Sequence, residues 1–584
     1  MKIFRSISLL YFCFDSLFAP SLVAQVHAWP PGGILPAPVT AGMKLPSNRF
    51  VPSTKKYNLI WADQLYGQSA GRIEFIAKNY AATQKIWNYQ AADYRVYNPN
   101  FIVTIYHLAN GINPGQNDDC PDPKSQTGSG FIGVVAPDGY VSEWQNHFLP
   151  WLNKESIAMG GNAYEQMFQH FTSVDKANRV WHRDPYWVMN LENSDWRKYV
   201  SEISLNWMKG NQDEGCFFDV SVETLASSLF HPESGDPAPY HFPWHLLPYG
   251  PFGYSISSLN DFSNWMNNQY LKYYQFIYKQ FHTPAMDYLV LPNVDQMATG
   301  WYDPVWMEGS VDGETIDGAM MESFGNYTES DMYLSLERCV RHITGRGKIL
   351  IAQFYNNSPE ERYRRIGMYM LVKNENSFVN IASGDVSWYP EYEISLGDQS
   401  PVPDNLQSLR VAGSGDASLF KRDYQYGMVL CNTSSVPMSY SLTGNNWYKI
   451  TASGGGSVDE QGMISNQSLG YESVGTTVAV PASDCLILTN NRPASIDDVQ
   501  ALAAGCTVYP QPVQDNFVIN IPGDLYGDYE WSIYNSSGIL IRRGTIRSHT
   551  NRIEISIAHF TNGMYFFRLS GKNFISSIKF LLMR

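Results

Sequence analysis

Clustered positive charge is what this chain has least of. Its 584 residues include 41 Lys or Arg against 55 Asp or Glu, for a formal net charge of −14. The densest basic group is Arg362, Arg364 and Arg365, whose spacing predicts the solvated side of a helix. A protein that grips a nucleic-acid backbone needs a basic face, so nucleic acid is excluded as a partner. Motifs built on thiols are missing as well. The cysteines, Cys13, Cys120, Cys216, Cys339, Cys431, Cys485 and Cys506, form no CxxC pair, which excludes a zinc ribbon and a disulfide scaffold. Cys216 and Cys339 fall in apolar-periodic segments and are expected to be buried free thiols. Cys431 and Cys485 share one β-rich region and are the pair to test for a bridge. No HExxH occurs, which removes the metalloprotease signature.

Long apolar runs are confined to the start. Lys2 and Arg5 precede an apolar segment from Ile7 to Val23, followed by small residues at Ala24 and Ala28. That order predicts a secretory signal at residues 1–24, cut after Ala24 in preference to Ala28, with Asp15 and Pro20 arguing against a membrane anchor. No other segment reaches the roughly 18 uninterrupted apolar residues of a spanning helix. The mature protein is expected to be exported, without a transmembrane segment.

What is present is enough apolar and aromatic material, 44% and 14%, for sizeable cores. Residues 25–54, rich in Pro, Gly and Ala, predict a linker. From Tyr57 apolar runs alternate with amphipathic stretches. Strands are expected at Asn58–Ala62, Phe101–Tyr106, Trp187–Leu191, Gly215–Asp219, Tyr288–Leu291, Ile316–Glu322, Lys348–Phe354 and Phe378–Ile381, with helices including Gly71–Arg95, Glu143–Leu152, Trp196–Met208, Leu259–Phe281 and Pro359–Lys373. Eight such units predict an α/β fold closed as a (β/α)8 TIM barrel over residues 55–395. After it come β-like runs and Gly/Ser turns expected to form a β-sandwich at 396–491, a linker at 492–505, and a small all-β unit at 506–584. The string from Gly128 to Gly133 spells GxGxxG but follows a loop and opens no helix, so no dinucleotide or other cofactor is expected.

Sites in such barrels lie at the carboxyl ends of the strands. Gly215-Cys216-Phe217-Phe218-Asp219 is a short apolar run that turns acidic, and the run into Glu322 repeats the pattern. Two strand-end carboxylates facing one mouth are what hydrolysis of a glycosidic bond requires, with one ionised and one protonated. Asp219, on the shorter side chain, is the expected nucleophile and Glu322 the acid/base. Asp63, His107, Asn190, Glu192, Gln353 and Tyr355, at other strand ends, are candidates for holding sugar hydroxyls, as is Asp295, which rivals Glu322 as the acid. Trp301 is a candidate for stacking on a sugar ring, alongside Trp61, Trp181, Trp187, Trp306 and Trp388, each as apt to fill a core. Asp317 opens a strand and is read as structural. The insertion from Leu225 to Ser258 holds His231, His241 and His245, but Pro243 and the absence of an acidic ligand at motif spacing argue against a metal there.

Two resemblances add to this reading. Val508-Tyr509-Pro510-Gln511-Pro512-Val513, Trp531 to Gly538, Asn562 to Leu569 and Lys579-Phe580 together resemble the C-terminal sorting domain of type IX secretion cargo, with Gln511 where that family usually has Asn. The likeness implies the type IX machinery as partner and delivery to the cell surface or beyond. The central part, about Tyr57 to Thr489, looks like the hypothetical glycosyl hydrolase families of bacterial barrels. The likeness rests on Gly215–Asp219, on Asp317-Gly318 followed by Glu322, and on the strand from Lys421 to Asn432. It implies a glycosidase acting on an extracellular carbohydrate through carboxylates on strands four and six. Retention of configuration is favoured. The other reading is a carbohydrate-binding surface protein that keeps the cleft without catalysis.

Overall fold

The computed structural model describes residues 58–63, 65, 67–86, 88–112, 143–170, 179–182, 186–221, 229–230, 259–298, 300, 302–325, 329–355, 358–383, 385–444, 446–491, 507–509, 513–520, 529–535, 540–546, 552–570 and 575–584. The expected signal, the linker at 25–54, the GxGxxG string, the three histidines of the insertion, and Trp301 lie outside the described residues. The chain divides into two compact units, Met1–Leu488 and Thr489–Arg584.

In the first unit eight parallel strands lie side by side in chain order: β1 (Leu59–Ala62), β2 (Ala82–Gln84), β3 (Ile102–Leu108), β4 (Gly215–Asp219), β5 (Leu289–Pro292), β6 (Gly318–Met321), β7 (Ile349–Tyr355) and β8 (Ser377–Ala382). β1 pairs with both β2 and β8. The outer strands β5 and β6 meet through a parallel bridge between Asn293 and Met320, and through hydrogen bonds from Asp317 N to Val290 O (3.1 Å) and Val294 N to Met320 O (2.9 Å). The sheet is thereby nearly closed on itself. Both faces of each strand are covered, which is why their sequences read as continuous apolar runs.

The covering helices are α1 (Ala70–Asn79), α2 (Asn88–Tyr97), α3 (Ser194–Asn211), α4 (Leu259–Phe281), α5 (Glu329–Arg338) and α6 (Pro359–Val372). Their ends follow local chemistry. The Asn193 carboxamide accepts hydrogen bonds from Asp195 N and Trp196 N to start α3, and Ser358 with Glu361 forms a reciprocal cap on α6.

Two expected elements are corrected, one helix and one strand. Gly71–Arg95 is not one helix: α1 and α2 are separated by β2, three residues long and without an apolar alternation to announce it. Packing between β1 and β3 overrides the helical propensity of Ala81-Ala82-Thr83-Gln84-Lys85. Trp187–Leu191 is not the third strand of the ring. Its residues Tyr186–Val188 pair antiparallel with Gly111–Ile112 and Trp181–His182, in a small sheet outside it. A short buried run carries no signal of strand direction. His107 therefore belongs to the third strand, not the second. The arginine group is corrected too, since Arg362 and Arg365 are buried, with Arg362 bound to Glu391 at 3.0 Å.

After β8 the chain builds a sheet from β9 (Arg410–Ser414), β10 (Ala417–Tyr424), β11 (Gly427–Asn432), β12 (Tyr448–Gly454), β13 (Gln467–Ser473) and β14 (Asp484–Thr489), in the order β9-β10-β11-β14-β12-β13. Alternation splits its side chains between two cores. Leu419, Leu430, Leu486 and Leu488 pack among themselves with Trp447 and Val480, while Phe420, Val429, Cys431 and Ile487 join the core of the ring. The contact is with α6. A Cβ on Gly367 would lie 2.4 Å from Cys485 Cβ, so only glycine allows the helix this close. Arg422, buried, donates to the carbonyls of Met370 (3.3 Å), Leu371 (3.2 Å) and Lys373 at the end of α6, and to Ser400 O at 2.7 Å. A cation there satisfies carbonyls that the helix leaves open and complements its dipole. Cys216, Cys339, Cys431 and Cys485 are buried free thiols, the last two in contact with each other.

The second unit is all β. Val513, Phe517, Ile519, Trp531, Ile533, Phe567, Leu569 and Phe580 fill the core of a three-stranded and a four-stranded sheet. Gly563–Ser570 alternates strictly between buried Tyr565, Phe567, Leu569 and exposed Met564, Phe566, Arg568.

At the opposite end of the ring from the strand tips, His282 lies between Asp287 Oδ1 (2.6 Å) and Asp317 Oδ2 (3.0 Å), and Asp317 also accepts Val290 N at 2.8 Å. Burial works against a charged imidazole, but the two carboxylates outweigh it and raise its pKa. Stability from this triad is complete below the ordinary histidine range and is lost as pH rises through the raised value. His282→Gln should therefore destabilise by about 1–2 kcal/mol at pH 5.5 and by less at pH 9, read by denaturant unfolding at both.

Candidate active site

Alternation along each strand decides which side chains enter the ring. On β4, Cys216 and Phe218 face the helices, Cys216 against Ser204 of α3 and Phe218 against Tyr273 and Tyr274 of α4. Gly215, Phe217 and Asp219 face inward. Asp219 stands at the strand tip, half-buried. Its Oδ2 accepts the Tyr106 hydroxyl at 2.8 Å, and its Oδ1 accepts Val220 N at 3.0 Å and Asn293 Nδ2 at 2.8 Å.

The same Asn293 Nδ2 donates to Glu322 Oε2 at 2.6 Å. Two oxygens held on one nitrogen are no further apart than the two bonds laid end to end, ~5.4 Å. Thus Asp219 and Glu322, distant in sequence, meet across one amide. The amide has a fixed orientation, because Asn293 Oδ1 accepts Asp295 N at 3.1 Å and a flipped group would face that N–H with its own. The Tyr355 hydroxyl donates to Glu322 Oε1, and Arg365 of α6 holds the Tyr355 carbonyl at 2.7 Å. Burial first, and then the Asp219 carboxylate, raise the pKa of Glu322; Lys85 and the bonds from Tyr355 and Asn293 act the other way.

Across the mouth from these lie Asp63, Gln84 and Lys85. Asp63 Oδ1 receives Gln84 Nε2 at 3.1 Å and lies 3.3 Å from Lys85 Nζ. The Lys85 ammonium sits over the rings of Tyr106 (4.9 Å) and Phe217 (5.5 Å). Burial opposes its charge, yet Asp63, Asp219 and Glu322 together raise its pKa.

The backbone at the strand tips is strained. Of nine described non-glycine residues with positive φ, Lys85 and Val220 directly follow β2 and β4, and Asp295, Met297 and Ser323 lie in the turns just after β5 and β6. Val220, at φ 57°, is β-branched, for which this conformation is a true outlier. Strain of this kind collects where surrounding structure holds functional groups in place.

The other expected site residues are placed as follows. Tyr355 is at the mouth, and Gln353 lies one step deeper, accepting Asn380 Nδ2 at 2.8 Å. Asp295 follows β5, half-buried, with its backbone serving Asn293. His107 points the other way from Tyr106, sealed under α3 and bound to Glu143 Oε1 at 3.1 Å. Asn190 is buried with Gln166 O at 3.2 Å, and Glu192 pairs with Lys272 of α4 at 2.5 Å, so neither stands at a ring tip. Trp61, Trp187, Trp306 and Trp388 are all buried, Trp306 stacked on Tyr274 and Trp388 on Tyr80, and they fill cores. Gly67-Gln68-Ser69-Ala70-Gly71 spells GxSxG, but Ser69 caps α1 and donates to Glu460 O at 2.7 Å, which engages its hydroxyl structurally. Asn293, Lys85, Gln84 and Tyr106 are not among the expected residues. Asn293 follows an apolar run just as Asp219 and Glu322 do. Tyr106 is one residue from His107, a one-step error in strand face.

Residues 507–583 match the family model described as a secretion system C-terminal sorting domain. Such a domain marks the chain for export to the cell surface or release, and among the described residues no helix is long and apolar enough to cross a membrane. No curated protein sequence matches the chain. Among solved structures, a noncanonic maltogenic alpha-amylase from Thermotoga neapolitana is similar at 9% identity and TM-score 0.29, over 74% of this chain and 98% of its own. An alpha-glucosyl transfer enzyme is similar at 8% identity and TM-score 0.35, over the same shares. An immunoglobulin-like β-sandwich protein from Bacteroides vulgatus matches 13% of this chain and 83% of its own at 20% identity, TM-score 0.12. None of these three likenesses bears on the chemistry argued below.

The shared donor gives a direct test of the geometry. In Asn293→Ala the two carboxylates lose the hydrogen bond that favours their ionised forms, so the pKa of Glu322 should move further up, read by carbon-13 NMR titration of labelled glutamate side chains with Glu322→Gln to assign the signal.

Proposed function

We propose that the protein is a secreted glycoside hydrolase that cleaves an extracellular carbohydrate with retention of configuration, Asp219 acting as nucleophile and Glu322 as acid/base. The eight-stranded sheet is read as a (β/α)8 barrel over residues 55–395, with the β-sandwich at 396–491 attached to it and the sorting domain at 506–584. The observation that carries the reading is the Asn293 amide, which donates to both carboxylates at 2.8 and 2.6 Å. A pair this close leaves no room for a water to enter between sugar and base, as inversion needs at roughly 6.5–9.5 Å, and fits the roughly 5–5.5 Å of double displacement.

Roles follow from the environments. Glu322, with its raised pKa, holds a proton to give to the departing glycosidic oxygen. Asp219 Oδ1 carries two hydrogen bonds and Oδ2 one, so Oδ2 is freer to attack the anomeric carbon. The leaving oxygen takes the Glu322 proton as the Asp219–carbon bond forms. Glu322, now ionised, takes a proton from a water that attacks the same carbon, and Asp219 departs as a carboxylate. Tyr106 and Asn293 hold the nucleophile in place through both steps, and Tyr355 steadies the acid. Asp63 and Tyr355 stand where they can reach sugar hydroxyls. His107, Asn190 and Glu192 are left out of the site. In a binding protein without catalysis the pair would be a burden, since ionising both acids would cost roughly 3 kcal/mol of repulsion at 5 Å and an effective dielectric of about 20.

Asp219→Asn and Glu322→Gln should each lower turnover by at least about two orders of magnitude with the fold intact by circular dichroism. The first-formed sugar should have the substrate's anomeric configuration by proton NMR. Parent-like rates in both variants would dismiss the assignment. In the parent, kcat/KM should fall on the alkaline side as Glu322 loses its proton, at a pH above the ordinary glutamate range.

A further inference from the structure

The acid/base pair accounts for one side of the mouth; on the other, Asp63 is within reach of a sugar hydroxyl, and the Lys85 beside it is left without a task. Both are unusual. Lys85 reaches the mouth only because it leaves β2 at φ 61°, against the steric preference of a side chain, and its ammonium is largely buried on the rings of Tyr106 and Phe217. Holding a lysine there takes strain and desolvation. An ion pair with Asp63 alone does not need it, since exposed pairs form anywhere on a surface.

The two groups also have capacity to spare. Asp63 takes both of its side-chain partners, Gln84 Nε2 and Lys85 Nζ, on Oδ1, which leaves Oδ2 without a partner among the described residues. An ammonium has three N–H donors, and that of Lys85 has Asp63 Oδ1 as its ion-pair partner at 3.3 Å. The couple therefore offers an acceptor and a donor, side by side and fixed to each other. Two neighbouring hydroxyls on a sugar ring present the matching pair, one hydroxyl donating to the carboxylate and the next accepting from the ammonium. The charge of the mouth points the same way. Among the described residues, Asp63, Asp219 and Glu322 act on one ammonium, that of Lys85, so even with Glu322 protonated this set of charges is negative, and a carboxylate or sulfate on the bound sugar would be repelled.

Resting on the glycosidase reading, we propose that Asp63 and Lys85 form a donor–acceptor couple that takes two adjacent hydroxyls of the sugar whose bond is broken, making the enzyme selective for neutral hexosides over uronides and sulfated sugars. A site built to hydrogen-bond a hydroxyl rejects an analogue lacking it steeply, because its own polar groups are then left unpaired.

The test uses the full chain with nitrophenyl glycosides of neutral hexoses in both anomers, the matching uronides, and monodeoxy forms of whichever hexoside is cleaved. The expected result is kcat/KM at least about a hundredfold higher for the hexoside than for its uronide, with a comparable loss for two adjacent monodeoxy positions and not for the others. Asp63→Asn and Lys85→Met should lose about as much on the full hexoside and little more on the deoxy form lacking the hydroxyl each one binds. Lys85→Arg should recover part of the loss. A uronide cleaved as well as the hexoside, or variants that lose equally on every deoxy form, would overturn the couple. If the parent cleaves nothing, saturation-transfer NMR with methyl hexosides and methyl uronides separates the two ideas. Hexoside binding that needs Asp63 and Lys85 upholds the couple while refuting hydrolysis, and binding indifferent to both residues refutes the couple.

Discussion

One carboxamide holds the mouth of the ring together. Asn293 sits on β5 between the strands that carry Asp219 and Glu322, and both acids lie within reach of its two N–H donors. Without it, two carboxylates a few ångströms apart would repel one another and draw in water or protons. With its oxygen tied down by Asp295 N, the amide serves only as a donor. Burial and then the neighbouring Asp219 carboxylate raise the pKa of Glu322, while Lys85 and the donors from Tyr355 and Asn293 limit the rise.

Much of this was legible in the sequence, and the failures have physical reasons. Asp219 and Glu322 were visible because each ends an apolar run long enough to be a buried strand. β2 was not, since three residues of Ala-Thr-Gln carry no periodicity and are a strand only because β1 and β3 flank them. With β2 hidden, Gln84 and Lys85 were hidden with it, and the strand from Phe101 was numbered second where it is third. His107 and Tyr106 show the other kind of error. The strand was found, but which of two successive side chains enters the ring depends on register, which the neighbours set. The tail is the opposite case: four ordered blocks sufficed to identify it, and its alternation is carried into the structure residue by residue.

The tryptophans illustrate why composition misleads about function. Those of the expected set whose side chains are described are all enclosed, and they brace helices against strands. Strand-end position made them plausible platforms, but a ring of eight strands needs large apolar side chains at its ends as well as its middle. The polar groups that reach the mouth came instead from strand tips, where Asp219, Glu322 and Gln84 each stand just before a residue of positive φ and Lys85 has one itself.

The grip of Arg422 on the end of α6 has a consequence for the mouth. The same helix carries Arg365, whose guanidinium holds the Tyr355 carbonyl, and the Tyr355 hydroxyl holds Glu322. A continuous line of contacts thus runs from β10 of the six-stranded sheet along one helix to Glu322. That six-stranded sheet is a splint on the helix that, through Tyr355, fixes Glu322.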